Sequence, residues 1–373
     1  MLQSNKRVVN IHQFPDSSKL WHNNKNKTES LGCSSCAFLD LCGGLRVDAT
    51  VFDCNSFCSC VDKTKCDNVC SNRIDHYVAR VQEVGGLDLS RIPREAETPK
   101  LSLPRLIPMI YNGSKRKAPL EFPIVALSLY QLFYKKTGDP KFSTRQALTS
   151  KFGISQHTEV ILSGTEKDLA LERWWALSNR DKVVENLLEL GIKMVTTPNY
   201  SLFDDVPRTD NLYNMKRIAL TCLELKRWGM PVALHINGRT ERDYERWTEF
   251  LTEHDELDML AFEFGTGAGR LTRIEWHAKQ LQILAQKVNR PLTLIMRGGL
   301  PEYPTLKSAF QAVVFIDTDS FLRAQHRQVG CFDSGKIIWT PRETAIGEPI
   351  DNLIIQNVSA KSQYVDYLAT KLT

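Results

Sequence analysis

Eight of the chain's ten cysteines fall between Cys33 and Cys70. They begin as Cys33, Cys36 and Cys42, in the order C-x2-C-x5-C-G-G, and continue as Cys54, Cys58, Cys60, Cys66 and Cys70. Two thiols separated by two residues can turn their sulfurs onto one ion, because the intervening backbone forms a tight loop whose amides point at the sulfurs. Repeated short spacings therefore point to a metal-binding head. Disulfides are the alternative chemistry, and the start of the chain argues against them, since residues 1–6 carry no apolar signal-peptide core. No later stretch reaches membrane-spanning length. The expectation is a cytoplasmic protein with no membrane partner, in a reducing compartment where a disulfide framework is disfavoured.

Eight thiolates suit two closed four-thiolate zinc sites, one iron–sulfur cluster plus a zinc, or one cluster with spare cysteines. The Cys42-Gly43-Gly44 ending favours iron–sulfur, because glycine lets backbone amides approach an inorganic sulfide. No C-x3-C-x2-C run occurs, Cys54 and Cys58 being followed by Cys60, so a structural or sensing cluster is expected rather than a radical-generating one. Cys222 and Cys331 stand apart and read as buried small apolar side chains.

Candidate chemistry in the rest of the chain depends on the elements that carry it. Residues 1–30 are polar and read as a flexible segment, 31–75 as the cysteine-rich head, 76–105 as a proline-bearing connector, and 106–373 as an α/β body of barrel size. Apolar runs flanked by turn residues recur at 106–110, 159–162, 192–196, 231–236, 259–264, 291–296 and 313–316, with an eighth candidate at 336–339. Helical patterns follow most of them, at 180–190, 211–228, 241–253 and 273–288. Strands separated by helices imply a parallel sheet, because parallel neighbours need a long return connection. A TIM-like (β/α)8 barrel is the favoured closure and a doubly wound open sheet the alternative. The loop after 259–264, Gly265-Thr266-Gly267-Ala268-Gly269, has Arg270 where a dinucleotide fingerprint needs its third glycine, so no nucleotide cofactor is expected. The net charge of +5 permits contact with nucleic acid without arguing for it, and Lys115-Arg116-Lys117 reads as a solvated turn.

In a barrel, chemistry belongs at the carboxyl ends of the strands. Those ends carry Tyr200, Asp204 and Asp205, then His235 and Asn237, then Glu263 and Gly265, then Arg297-Gly298-Gly299-Leu300, then Asp317-Thr318-Asp319-Ser320. This set resembles the tRNA-guanine transglycosylases and their DNA-acting 7-deazaguanine relatives over roughly residues 191–327. Phe203-Asp204-Asp205-Val206-Pro207 is similar to the family's base-recognition F-D-E-x-x-P, and Asn237 stands where its amide side chain follows a later strand. Gly265-Thr266-Gly267 corresponds to its base-facing glycine by order and distance, and Phe315-Ile316-Asp317 to its nucleophile. A second Gly-Gly-Leu, Gly298 to Leu300, has the family's letters but lies close to Asp317.

The resemblance implies a base-exchanging glycosyltransferase of the queuine or archaeosine type, acting on a guanine or 7-deazaguanine base. The partners it implies are that base, tRNA or DNA, and other proteins of a modification or phage-defence system. Asp317 would be the nucleophile. Asp204 or Asp205 would meet the base's amidine edge, Asn237 and the Gly265 amide its carbonyl, and Tyr200 or Phe264 its ring face. The family's D-S-G-G-F-Q general-base segment has no counterpart here, and its zinc motif follows the recognition strands, whereas these thiolates precede the barrel. A catalytically inactive purine- or nucleic-acid-binding barrel is therefore the second expectation.

The same residues have structural readings. Asp204, Asp205 and Asp319 suit helix caps, which would leave Asp317 as a residue leading into a loop. His235 suits a hydrogen-bonded structural histidine. Glu263 lies between Phe262 and Phe264; if it points into the barrel mouth it needs a partner, and Arg297 is the natural one. Trp174, Trp175 and Trp228 suit packing in the helical shell.

Overall fold

In the computed structural model, residues 83–90, 92–202, 208–265, 271–345 and 347–371 are described. All eight clustered cysteines, and Asp204 and Asp205, lie outside them. The chain divides into two compact units. One gathers Met1–Asp88 with Leu202–Tyr213 and Gly238–Asp243; the other comprises Leu89–Ser201, Asn214–Asn237 and Tyr244–Thr373. In the first unit, Tyr213 donates its hydroxyl to Glu83 Oε2 at 2.6 Å, and Arg239 Nε donates to the Leu202 carbonyl at 2.8 Å.

The second unit is built on eight parallel strands: β1 (Leu106–Pro108), β2 (Ile124–Ser128), β3 (Glu159–Ser163), β4 (Met194–Thr196), β5 (Val232–His235), β6 (Met259–Glu263), β7 (Thr293–Arg297) and β8 (Ala312–Asp317). Their order is β1-β8-β7-β6-β5-β4-β3-β2, so each strand from β2 to β7 pairs with its successor and β8 returns to β1. A parallel bridge between Met109 and Ala126, with the Ile110 amide donating to the Ala126 carbonyl at 2.9 Å, spans the remaining gap. The sheet thus curls almost to closure, consistent with a (β/α)8 barrel rather than an open doubly wound sheet.

Helices return the chain between strands. They include α1 (Arg145–Phe152), α2 (Asp168–Ala176), α3 (Arg180–Glu189), α4 (Arg208–Arg227), α5 (Glu241–Glu253), α6 (Leu271–Val288), α7 (Tyr303–Lys307) and α8 (Asp319–Gln325). α1 shows how locally their limits are set: the Thr144 hydroxyl accepts the Ala147 amide at its start, and Gly153 ends it at φ 60°. No helix separates β1 from β2.

Two expectations need correction. β2 stood outside the runs identified as strands. Residues 336–339 do form a strand, but not the barrel's eighth: β9 (Gln328–Asp333) and β10 (Lys336–Pro341) pair antiparallel as a separate two-stranded sheet, followed by α9 (Asp351–Thr370). Ser334 and Gly335, both at positive φ, make the turn that a parallel crossover cannot use.

The barrel interior is filled by Ile107, Met109, Ile124, Ala126, Ile161, Met194, Ala233, Met259, Ala261, Ile295, Val314 and Ile316. Each large apolar side chain buried this way contributes about 1.5–3 kcal/mol. Leu101 and Leu103 of the segment before β1 pack on the same cluster. That segment is further held where Arg94 Nε meets Glu256 Oε2 at 3.0 Å. Among the described residues, no helix is long and apolar enough to cross a membrane.

Candidate functional site

Alternate residues of a strand face the same side, so the interior cluster fixes which side chains reach the carboxyl-end mouth. Continuing by two from Ala126, Ile161, Met194, Ala233, Ala261 and Ile295 gives Ser128, Ser163, Thr196, His235, Glu263 and Arg297. Ile316 of β8 lies level with Arg297, and Tyr111, two residues past Met109, packs against the cluster and completes the ring.

Between β2 and β5 the ring residues themselves are uncharged and satisfied locally, Ser128 by donating its hydroxyl to Glu166 Oε2 at 3.3 Å. Thr196 Oγ1 accepts the Gly164 amide at 2.9 Å, and Ser163 Oγ accepts the Thr165 amide at 3.4 Å. Gly164 allows β3 and β4 to close up here: an added Cβ would lie 2.3 Å from the Thr196 carbonyl oxygen. His235 is 3% exposed. Its Nδ1 faces the Thr197 carbonyl at 2.5 Å and its backbone amide donates to Thr197 Oγ1 at 2.9 Å. Burial holds the imidazole down to about 4, with Arg297 pushing the same way against the Thr197 carbonyl. The ring is therefore neutral near pH 7. With the proton on Nδ1, Nε2 is an acceptor, 3.4 Å from Thr165 Oγ1.

Between β6 and β1 the ring carries charge. Glu263, 2% exposed in its side chain, holds Arg297 Nε at 3.1 Å through Oε2 and accepts the Gly265 amide at 2.6 Å through Oε1. Adjacent register makes this pair, since Glu263 and Arg297 are direct neighbours across β6 and β7. Burial raises the Glu263 carboxyl while Arg297 and the Gly265 amide oppose the rise. Burial likewise raises the Tyr111 phenol, which also responds to the charges of Arg297, Asp317, Asp319 and Glu263. The Gly-Gly-Leu after β7 has a packing role: Gly298, at φ 72°, lies so close to the β6 end that a Cβ would sit 2.8 Å from the Gly265 nitrogen.

Asp317 has the opposite parity, that of Val313 and Phe315. It is fully buried, and its Oδ1 accepts the amides of Asp319 at 3.0 Å and Ser320 at 3.2 Å, capping the start of α8. Its Oδ2 has no hydrogen-bond partner among the described residues. Burial raises its pKa, with Lys361 and the Ser320 and Asp319 contacts pulling down. Asp319, rather than capping through its side chain, pairs with Lys361 at 3.0 Å.

Asn237 lies one inward step beyond His235; its Nδ2 donates to Asn199 Oδ1 at 3.0 Å and the Tyr200 carbonyl at 3.2 Å. Tyr200 is fully buried under Trp175, with the Arg217 guanidinium 4.1 Å over its ring. Phe264 is buried beside Phe262. Neither aromatic face is open for stacking. The Gly265 amide is taken by Glu263 rather than presented to a ligand.

The structure therefore brings His235, Asn237 and Glu263 to the mouth, sets Asp317 behind the sheet, and places Tyr200 in the helical shell. Trp174 is buried as expected, whereas Trp228 is 37% exposed. Cys222 is buried, its thiol pushed up to about 12, but Cys331 is exposed on β9. Sequence reasoning missed Tyr111, Ser128, Ser163, Thr165, Thr196 and Thr197. Counting by twos from the small and branched interior residues is the signal that finds most of them.

Among the described residues, no group of three or more His, Cys, Asp or Glu side chains is arranged to hold a metal ion. A groove of about 360 Å³ lined by Arg145, His157, Glu159 and Lys193 lies at the amino ends of β3 and β4, away from this chemistry. No family model matches the chain, and no curated protein matches it.

Proposed function

We propose that the barrel mouth binds a guanine-like or 7-deazaguanine-like base, and that the chain serves as a base-recognition component in nucleic-acid modification or defence. The observation that carries this reading is the pairing of opposite hydrogen-bonding roles at the mouth. Arg297 is a cationic donor, and neutral His235 is an acceptor through Nε2, which a ligand N–H would take over from the Thr165 hydroxyl 3.4 Å away. A lactam edge, with a carbonyl oxygen beside a ring N–H, is the complement of such a pair. Asn237 Oδ1 adds a second acceptor, because its Nδ2 is already engaged. The cysteine-rich head would hold an iron–sulfur cluster or zinc and dock the barrel to tRNA, DNA or a partner protein.

Base exchange is the second reading. It is favoured by the buried Asp317 carboxyl, whose Oδ2 makes no hydrogen bond among the described residues, and disfavoured by the parity that turns Asp317 behind the sheet. Equilibrium binding of guanine and 7-deazaguanine to the full chain, with adenine as control, tests the first reading. Saturable binding of the two lactams over adenine is expected, and His235→Ala should weaken it by about 1–3 kcal/mol. Equal or absent binding of all three would sink it. Incorporation of labelled guanine into tRNA or DNA tests the second. Metal analysis and the absorption spectrum of anaerobically purified protein test the head: stoichiometric iron or zinc is expected, and eight freely reactive thiols would refute it.

A further inference from the structure

The charged arc of the mouth contains donors that its own neighbours do not use. Arg297 meets Glu263 through Nε, and its two terminal nitrogens have no hydrogen-bond partner among the described residues. Its side chain is 24% exposed, against 2% for Glu263. One end of the guanidinium is thus paired with a buried carboxylate, while the side chain as a whole stays partly exposed. Tyr111 also has no hydrogen-bond partner for its hydroxyl among the described residues, and its ring is braced against Phe321 at a centroid distance of 5.4 Å.

We propose that Arg297, with the Tyr111 hydroxyl beside it, is the reader of an anionic or strongly polarised oxygen on the ligand, and that Glu263 is a positioning residue acting through Arg297. A planar guanidinium held at one edge keeps its remaining donors in a fixed fork, which suits an oxygen with two lone pairs. Glu263 is 2% exposed in its side chain, and its oxygens are turned to the protein, Oε1 accepting the Gly265 amide and Oε2 lying 3.1 Å from Arg297 Nε. The inference rests on the mouth being the ligand site but not on the ligand being a base. A base carbonyl and a phosphate oxygen present the same chemistry to Arg297.

The test measures binding of guanine and, separately, of inorganic phosphate to the full chain. It uses the parent, Arg297→Lys, Arg297→Met, Glu263→Gln, Tyr111→Phe and the double variant Glu263→Gln/Arg297→Met, with thermal melts of each. Arg297→Met should weaken binding at least about tenfold, equivalent to about 1.4 kcal/mol, and Arg297→Lys should restore part of it. Glu263→Gln should weaken binding in the parent background yet add nothing once Arg297 is Met, a non-additivity that a merely structural Glu263 would not produce. Phosphate bound in an Arg297-dependent way, with guanine not bound, would uphold the inference and end the base reading. Guanine bound equally by the parent and a well-folded Arg297→Met or Arg297→Lys protein would overturn the inference and leave the base reading standing. Binding of neither probe by the parent would overturn both.

Discussion

At the carboxyl ends of β2 to β5 the inward positions are Ser128, Ser163, Thr196 and His235, whereas from β6 round to β1 they are Glu263, Arg297, the apolar Ile316 and Tyr111. The first arc closes its hydrogen bonds on near neighbours: Ser163 and Thr196 accept amides, Ser128 donates to the Glu166 carboxylate, and the imidazole lies between the Thr197 carbonyl and the Thr165 hydroxyl. The second arc holds one ion pair, between a buried carboxylate and a partly exposed guanidinium whose terminal nitrogens have no hydrogen-bond partner among the described residues. One side of the mouth is therefore closed on its own neighbours, and the other keeps a partly exposed guanidinium with donors that its neighbours do not take. Discrimination should reside in the charged arc, and shape in the neutral one.

The largest expected effect lies in the charged arc. Replacing Arg297 by Met strands a buried carboxylate, at a cost of about 2–4 kcal/mol near pH 8, the lower part of the range reflecting Arg297's partial exposure. The cost should shrink near pH 5, because Glu263, already raised, would take up a proton instead of remaining an unpaired anion. Urea unfolding at the two pH values reads this directly. A cost below about 1 kcal/mol at both would mean that the pair is not buried in any energetic sense, and the contrast between arcs would collapse.

The neutral arc predicts an acid sensitivity of its own. His235 is held down to about 4 when folded, against about 6.5 in an unfolded chain. Between those values the unfolded state binds a proton that the folded state refuses, so stability should fall as pH drops through that window, by at most about 3 kcal/mol. Glu263 and Asp317 act in the opposite sense: their folded values are raised, so their contribution is present at low pH and lost as pH rises through the folded values. Comparing the parent with His235→Gln across the same window isolates the imidazole. Parallel pH profiles for the two proteins would show that the ring is not held neutral by the fold.

Smaller still is Thr196→Val, which leaves the Gly164 amide without its acceptor. A loss of about 1 kcal/mol is expected, with ligand affinity unchanged. An affinity loss matching that of Arg297→Met would place discrimination in both arcs.

Seven of the eight parallel strands were legible as apolar runs bounded by turn residues, and so was the barrel they suggest. β2 was not, because Pro119 and Pro123 crowd its start and no helix precedes it to mark a crossover. β10 was legible as a strand but not in its pairing, since a four-residue run at 336–339 says nothing of which neighbour it meets until the Ser334-Gly335 turn is recognised. In the site, the Glu263–Arg297 contact was readable from two strand ends one position apart in a parallel sheet. Thr197 was not, because its carbonyl meets His235 only where the strand ends and the chain turns. Asp317 misled for a physical reason. An aspartate at the end of a barrel strand looks the same in sequence whether it faces the lumen or caps the next helix, and a one-residue difference in parity decides between them.

That one-residue difference gives the smallest and most discriminating prediction. Asp317 Oδ1 receives the Asp319 and Ser320 amides, a task that an asparagine carbonyl performs about as well. Asp317→Asn should therefore change stability by less than about 1 kcal/mol, while Asp317→Ala, which removes the acceptor, should cost about 0.5–2 kcal/mol. Neither should alter base affinity, because the carboxyl belongs to the outer face of β8 and not to either arc of the mouth. An Asp317→Asn protein that melts like the parent and binds base like the parent, yet loses a base exchange that the parent performs, would reverse this assignment. The unpartnered Oδ2 would then be the reactive atom, and the mouth would have a third functional element behind its two arcs.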